Sequence, residues 1–115
     1  DINVSRIVEE KNMSVSVSLH ERDNDMVLSV VGEVDVSNAS QLRDALNDAM
    51  GRGPSKLEVD LSGAPYIDST GIGVLVGAAH RAADASIPFA VVHPQRNVAR
   101  VLGMLGVNDE LGIDA

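Results

Sequence analysis

Two short stretches restrict the fold more than any others. In "VSVSLH" (Val15–His20) and in "LEVDL" (Leu57–Leu61) apolar and polar residues alternate without a break. Side chains of a β-strand point to opposite faces in turn, so each stretch buries one face and leaves the other polar. Strands of a parallel sheet covered on both faces are apolar throughout. The alternation therefore predicts a sheet covered mainly on one face.

Another extended run, "MVLSVVGEV" (Met26–Val34), follows the first stretch across the polar "ERDND" (Glu21–Asp25), which suits a hairpin loop and antiparallel pairing. The period then becomes helical. Ser37 or Asn38 can cap a helix running to about Met50, with Ala39, Leu42, Leu46 and Ala49 on one stripe and Asn38 and Gln41 spaced as in a capping box. "GRGPS" ends it. Gly71 to about Ala85 reads as a second helix, with Ile72, Leu75, Val76, Ala79 and Ala83 toward the core and Gly73 and Gly77 allowing close approach to a neighbour. "PFAVVHP" supplies a strand. In Asn97–Leu105 the residues Val98, Val101, Leu102 and Leu105 recur at i, i+3, i+4 and i+7, a third helix capped by Gly106. The closing "ELGIDA" is expected to add a short edge strand. Residues 1–12, "DINVSRIVEEKN", stand outside the pattern as a charged N-terminal extension, an extra segment or helix.

Alternating strands and helices with short connections, after one antiparallel hairpin, imply an α/β fold. The sheet should be mixed, of four to five strands, with right-handed crossovers and helices mainly on one face. The 115 residues suit one domain, placed at 13–115. The sequence has no cysteine, opens on no basic-then-apolar leader and has no apolar run of membrane-spanning length. A cytoplasmic protein with no membrane partner is the expectation. With 17 acids against 9 Lys and Arg the net charge is -8, whereas nucleic-acid binding needs a basic face. Only Tyr66 and Phe89 could stack on bases. No direct nucleic-acid partner is expected, and a protein with a basic patch fits better.

Between the strand at Leu57–Leu61 and the second helix stands "IDSTGI" (Ile67–Ile72), an acid, two hydroxyls and a glycine between apolar runs. A strand-to-helix junction exposes first-turn amides that lack intrahelical acceptors and carry about half a positive charge. Asp68, Ser69 or Thr70 can cap the helix there, or a hydroxyl can be displayed for chemistry. A nucleotide loop does not fit: the dinucleotide spacing needs a glycine where Val76 stands, and no lysine completes a Walker loop. A serine hydrolase does not fit either. The G-x-S-x-G elbow is missing, and His80 lies about 16 Å along the helix from Ser69. His20 and His93 end strands, where lone histidines are mostly solvated. With no i, i+4 histidine pair, no metal and no cofactor is expected. The flank of the second helix carrying Val74, Gly77 and Ala78 either packs inward or forms a docking patch beside the Ser69 loop.

Three stretches carry a family resemblance. "VVGEVDVSNASQLRDAL" (30–46), "LEVDLSGAPYIDSTGIGVLV" (57–76) and "QRNVARVLGMLGV" (95–107) resemble, in order and spacing, the STAS domain of bacterial anti-sigma factor antagonists. The resemblance implies a regulatory protein and no enzyme. It makes Ser69, directly after Asp68, the phosphoacceptor of a loop that includes Thr70 and Gly71. It implies two partners: an anti-sigma factor with ATP-dependent serine kinase activity, and a serine phosphatase. The unphosphorylated form would bind the anti-sigma factor and free a sigma factor; the phosphorylated form would let go. Glu33 and Asp35 of the "GEVD" turn match docking positions, to which Val74 and Ala78 are added as the helical part of the same surface. The alternative is a STAS module that scaffolds an assembly or senses a ligand, with Ser69 a plain helix cap.

Overall fold

A computed structural model describes residues 10–11 and 15–113. In chain order the described elements are β1 (Glu10–Lys11), β2 (Val15–Arg22), β3 (Asp25–Gly32), α1 (Ala39–Gly51), β4 (Lys56–Gly63), α2 (Ser69–Asp84), β5 (Phe89–Val92) and α3 (Arg96–Leu105). All strands belong to one sheet in the spatial order β1-β2-β3-β4-β5. β2 pairs antiparallel with β1 and β3, while β4 pairs parallel with β3 and β5. Each right-handed crossover from β3 to β4 and from β4 to β5 steps the same way across the sheet, so α1 and α2 come to one face. This is the mixed, one-sided sheet that the alternation predicted.

The dry face collects Val15, Val17 and Leu19 of β2, Met26, Leu28 and Val30 of β3, Leu57, Val59 and Leu61 of β4, and Val91 of β5, none more than 4% exposed. Leu42 and Leu46 of α1, Leu75 and Ala79 of α2, and Val98 and Leu102 of α3 join them in one cluster. Each buried Leu or Val contributes about 1.5–3 kcal/mol relative to exposure. The stripe that the sequence assigned to α1 is the buried one, Ala39, Leu42, Leu46 and Ala49.

Several expectations change. The hairpin between β2 and β3 is tighter than a five-residue loop: Arg22 pairs with Asp25, so only Asp23 and Asn24 turn. Asp23 takes φ 57°, a left-handed conformation that aspartate tolerates. Glu10 and Lys11, within the expected N-terminal extension, pair with Val17 and Ser16 as β1; residues 1–9 and 12 lie outside the described residues. In α3 only Val98 and Leu102 are buried, while Val101 and Leu105 are 41% and 55% exposed. One short helix resting on the rim of the core cannot bury its whole apolar stripe.

The segment after α3 forms no strand within the described residues. Its amides bond locally, Leu111 to Val107 O, Gly112 to Asp109 O and Ile113 to Asn108 O, which leaves no extended ladder. Leu111 is fully buried, and its carbonyl accepts from Val91 N–H at 2.8 Å. The tail thus plugs the core beside β5. Gly106, as expected, ends α3 in the left-handed conformation at φ 73°.

Candidate functional site

The site forms where β3 and β4 lose their register. Ser29 pairs with Asp60 and Val31 with Gly63, so β4 gains one residue over its partner. Such a bulge bends the strand that carries it. Pairing resumes beyond both strands at a single parallel bridge, Val34 to Ile67. Val34 N–H donates to Tyr66 O and Asp68 N–H to Val34 O, each at 3.0 Å. The bridged side chains point inward, Val34 0% and Ile67 5% exposed. The residues next to the bridge partners are more open: Glu33 and Tyr66 are exposed, Asp35 and Asp68 half-buried.

Asp68 keeps extended backbone angles, φ -91° and ψ -178°, and caps α2 by accepting from Gly71 N–H at 3.0 Å. Of the three residues able to cap, the aspartate takes the role, and the Ser69 hydroxyl has no part in it. The helix therefore begins at Ser69, two residues earlier than the apolar pattern indicated. Ser69 and Thr70 are both exposed. Gly71 is required by packing: a Cβ there would stand 2.7 Å from Ile67 Cγ1 and 2.8 Å from Val34 Cγ1. The first turn of α2 thus rests directly on the bridge.

The other half of the bridge is fixed by a turn. Asp35 O accepts from Asn38 N–H at 3.1 Å and Ala39 N–H at 2.9 Å. The Asp35 carboxylate accepts from the Ser37 hydroxyl at 2.6 Å and from Ser37 N–H at 2.9 Å. These bonds, the hydroxyl's first, hold its pKa below the ordinary aspartate value. Asn38, only 1% exposed, faces backwards: its Oδ1 accepts from Asp35 N–H at 2.9 Å and its Nδ2 donates to Glu33 O at 3.0 Å. No capping box forms. α1 has no side-chain cap, and Gln41 Oε1 is buried with no hydrogen-bond partner. The amide that would have capped the helix fastens the "GEVD" loop instead.

The helical part of the expected docking surface needs correction. Ala78 is 0% exposed and Val74 is half-buried against the core. Arg81, one turn beyond Ala78, donates to Asn47 Oδ1 of α1 at 3.2 Å. At Ala78 that flank of α2 is closed, while Val74 and Gly77 stay half-buried. Conversely Val76 is only half-buried and Ala83 exposed, both expected inside. The glycines follow the same rotation: a Cβ on Gly73 would meet nothing within 4 Å, and one on Gly77 only the Arg81 guanidinium. Neither is there for internal packing. Ser69, Gly73 and Gly77 recur at i, i+4 and i+8 along α2; Ser69 and Gly73 are exposed, and Gly77 is half-buried beside the Arg81 guanidinium.

Two exposed apolar side chains beside the site escaped the sequence reading, Val36 at 75% and Tyr66 at 48% exposure. The available signal was a valine in a polar turn and the sequence's single tyrosine three residues ahead of Ser69. Among the described residues no group of three or more His, Cys, Asp or Glu could hold a metal ion. His80 and His93 lie beside Glu110 and Asp60, at 3.6 and 3.7 Å. No helix among the described residues is long and apolar enough to cross a membrane.

Comparison with known proteins bears on the family and the fold. The chain is 39% identical over 67 residues to the anti-sigma-B factor antagonist of Listeria monocytogenes, covering 57% of this chain and 59% of that protein. It thus spans less than two thirds of that relative. The anti-sigma-B factor antagonist of Bacillus subtilis is 28% identical over 103 residues, covering 90% of this chain and 94% of that one. The crystal structure of an anti-sigma factor antagonist from Mycobacterium paratuberculosis superposes with a TM-score of 0.78 at 23% identity, over 87% of this chain and 85% of the other. The family model of the STAS domain matches residues 16–115, and the chain belongs to the STAS domain family.

Proposed function

We propose that this protein is an anti-sigma factor antagonist switched by phosphorylation of Ser69. The observation that carries the reading is the division of labour at the start of α2. Asp68 caps the helix through Gly71 N–H, so the adjacent Ser69 stands exposed with its hydroxyl outside the cap. A kinase can take it without unmaking the fold. In the reaction Ser69 Oγ attacks the γ-phosphorus of ATP, the bond from that phosphorus to the β-bridging oxygen breaks, ADP leaves, and the hydroxyl proton passes to a base of the kinase. A serine phosphatase reverses the mark with water. The protein itself supplies an acceptor and a surface and acts as no enzyme.

Charge supplies the switch. A phosphate adds about 1.5–2 negative charges at neutral pH. The helix start, with its exposed amides, is a favourable place for them. Glu33, Asp35 and Asp68 already stand next to the bridge partners. Against a partner surface suited to those acids, a loss of about 3 kcal/mol on phosphorylation lowers affinity roughly a hundredfold. The unphosphorylated form binds the anti-sigma factor and so frees a sigma factor; the phosphorylated form releases it. The exposed Gly73, one turn beyond Ser69, lets a partner come close to the α2 backbone.

The test mixes the purified chain and its Ser69→Ala variant with the anti-sigma factors of its host and ATP. Wild type should be phosphorylated and should bind in the absence of ATP, while Ser69→Ala should bind and accept no phosphate. Absence of both binding and phosphate transfer with every anti-sigma factor would remove the basis of the reading and leave the scaffold or ligand-sensing alternative.

A further inference from the structure

We infer that Val36 and Tyr66 are the apolar anchors by which the kinase acting on Ser69 grips this protein. The inference rests on the switch reading above. Large apolar side chains exposed among the described residues are Val31, Val36, Tyr66, Val101, Met104 and Leu105. Only Val36 and Tyr66 lie within two residues of the Val34–Ile67 bridge in sequence. Val36 sits in the turn whose carbonyl, that of Asp35, receives Asn38 and Ala39 N–H. The carbonyl of Tyr66 accepts from Val34 N–H, which joins the two loops through main-chain atoms.

Geometry identifies the occupant. An enzyme that delivers a phosphoryl group to Ser69 Oγ must bring its active site into contact with the first turn of α2. A specific interface covers about 800 Å² on each partner, a patch of roughly 16 Å radius. The Tyr66 Cα lies at most about 11 Å from that of Ser69 by chain length alone. A patch of that size centred on Ser69 reaches past Tyr66, which is 48% exposed. Tyrosine provides a large contact area with few rotatable bonds and is enriched at the centres of such interfaces.

The polar surroundings select the same partner. Glu33 precedes Val34 of the bridge, whose N–H donates to Tyr66 O, and Asp35 precedes Val36 in the chain. The surface that receives these anchors must be an apolar hollow with a basic rim. The two parts differ in salt dependence, because exposed charges separated by more than about 8 Å are largely screened at physiological ionic strength while apolar contact is not.

The experiment titrates the anti-sigma factor kinase that phosphorylates wild-type Ser69 with wild type, Val36→Ser, Tyr66→Ala, Tyr66→Phe and Met104→Ser, in ADP. Met104 is 78% exposed and lies about 10 Å further along α3 than Asn97, whose Nδ2 donates to Pro65 O near the site. Val36→Ser and Tyr66→Ala should each weaken binding about tenfold, at low and at high salt, with full phosphorylation of Ser69 once the kinase is saturating. Tyr66→Phe and Met104→Ser should bind as wild type does. Thermal unfolding confirms folding; Val36→Ser, with its side chain in solvent, carries the test if Tyr66→Ala does not fold. Wild-type affinity in Val36→Ser and Tyr66→Ala overturns the anchors while leaving the switch intact. So does an equal loss in Met104→Ser or Tyr66→Phe. If no kinase binds or phosphorylates wild type, the switch reading falls and the anchors fall with it.

Discussion

Gly71 lies so close to Val34 that a side chain could not be added between them: its Cβ would stand 2.8 Å from Val34 Cγ1. Gly71→Ala should therefore destabilise the fold by about 1–3 kcal/mol, the usual cost of overpacking. Gly73→Ala, two residues on with open space around it, should stabilise by about 0.5–1 kcal/mol because alanine is the better helix former. Urea unfolding of the two variants measures both. A rise in stability for both would show that the bridge leaves room at Gly71.

The cap and the acceptor separate in the same way. Asp68→Ala removes the bond to Gly71 N–H and should cost about 1 kcal/mol. Ser69→Glu should keep wild-type stability, since a negative charge in the first helical turn is favourable by about 0.3–1 kcal/mol. Its affinity for the anti-sigma factor should nonetheless fall. Equal drops in melting temperature for the two variants would place Ser69 in the cap.

Asn38 is buried and serves the loop ahead of its helix. Asn38→Ala leaves Glu33 O and Asp35 N–H without this partner and should cost roughly 1–3 kcal/mol. Hydrogen exchange at the Asp35 amide should accelerate. Asn38→Asp keeps the acceptor for that amide but loses the donor to Glu33 O, so exchange there should stay slow while stability still falls.

Asp35 predicts a pH dependence. Its pKa lies below the usual aspartate value of about 3.9, with the Ser37 hydroxyl as the main cause. A depressed carboxylate pKa stabilises the folded state above the unfolded pKa, and that stability is lost as pH falls through the folded value. Ser37→Ala should raise the Asp35 titration midpoint in carbon-detected NMR. It should also reduce stability near neutral pH, with the difference from wild type closing in acid. An unchanged midpoint would assign the shift to the backbone amides.

The sheet was legible because period and burial coincide when an element is covered on one side only, and the α1 stripe because its buried positions include two leucines, Leu42 and Leu46, at helical spacing. β2 and β4 face helices on one side only, and their alternation states this directly. α2 was harder to read. It touches both the sheet and α1, so its buried arc widens to include Ala78 and Ala82, which carry little apolar signal of their own. The Asp68–Gly71 segment was legible as a polar interruption between apolar runs. The Val34–Ile67 bridge was not, since it joins residues 33 positions apart through main-chain atoms that no side-chain pattern encodes. Val36 and Tyr66 become conspicuous only through their exposure.

The same bridge separates two kinds of change over evolutionary time. Its hold on the core is exerted by backbone groups and by Val34 and Ile67, while positions 33, 35, 36 and 66 flank it. Duplicated copies of such a gene can diverge at these positions while the frame stays constant. Each difference of about 1.4 kcal/mol in partner preference is a factor of ten in fidelity. The identity of this surface is thus written in a few side chains around one pair of main-chain hydrogen bonds, and the fold beneath is indifferent to it.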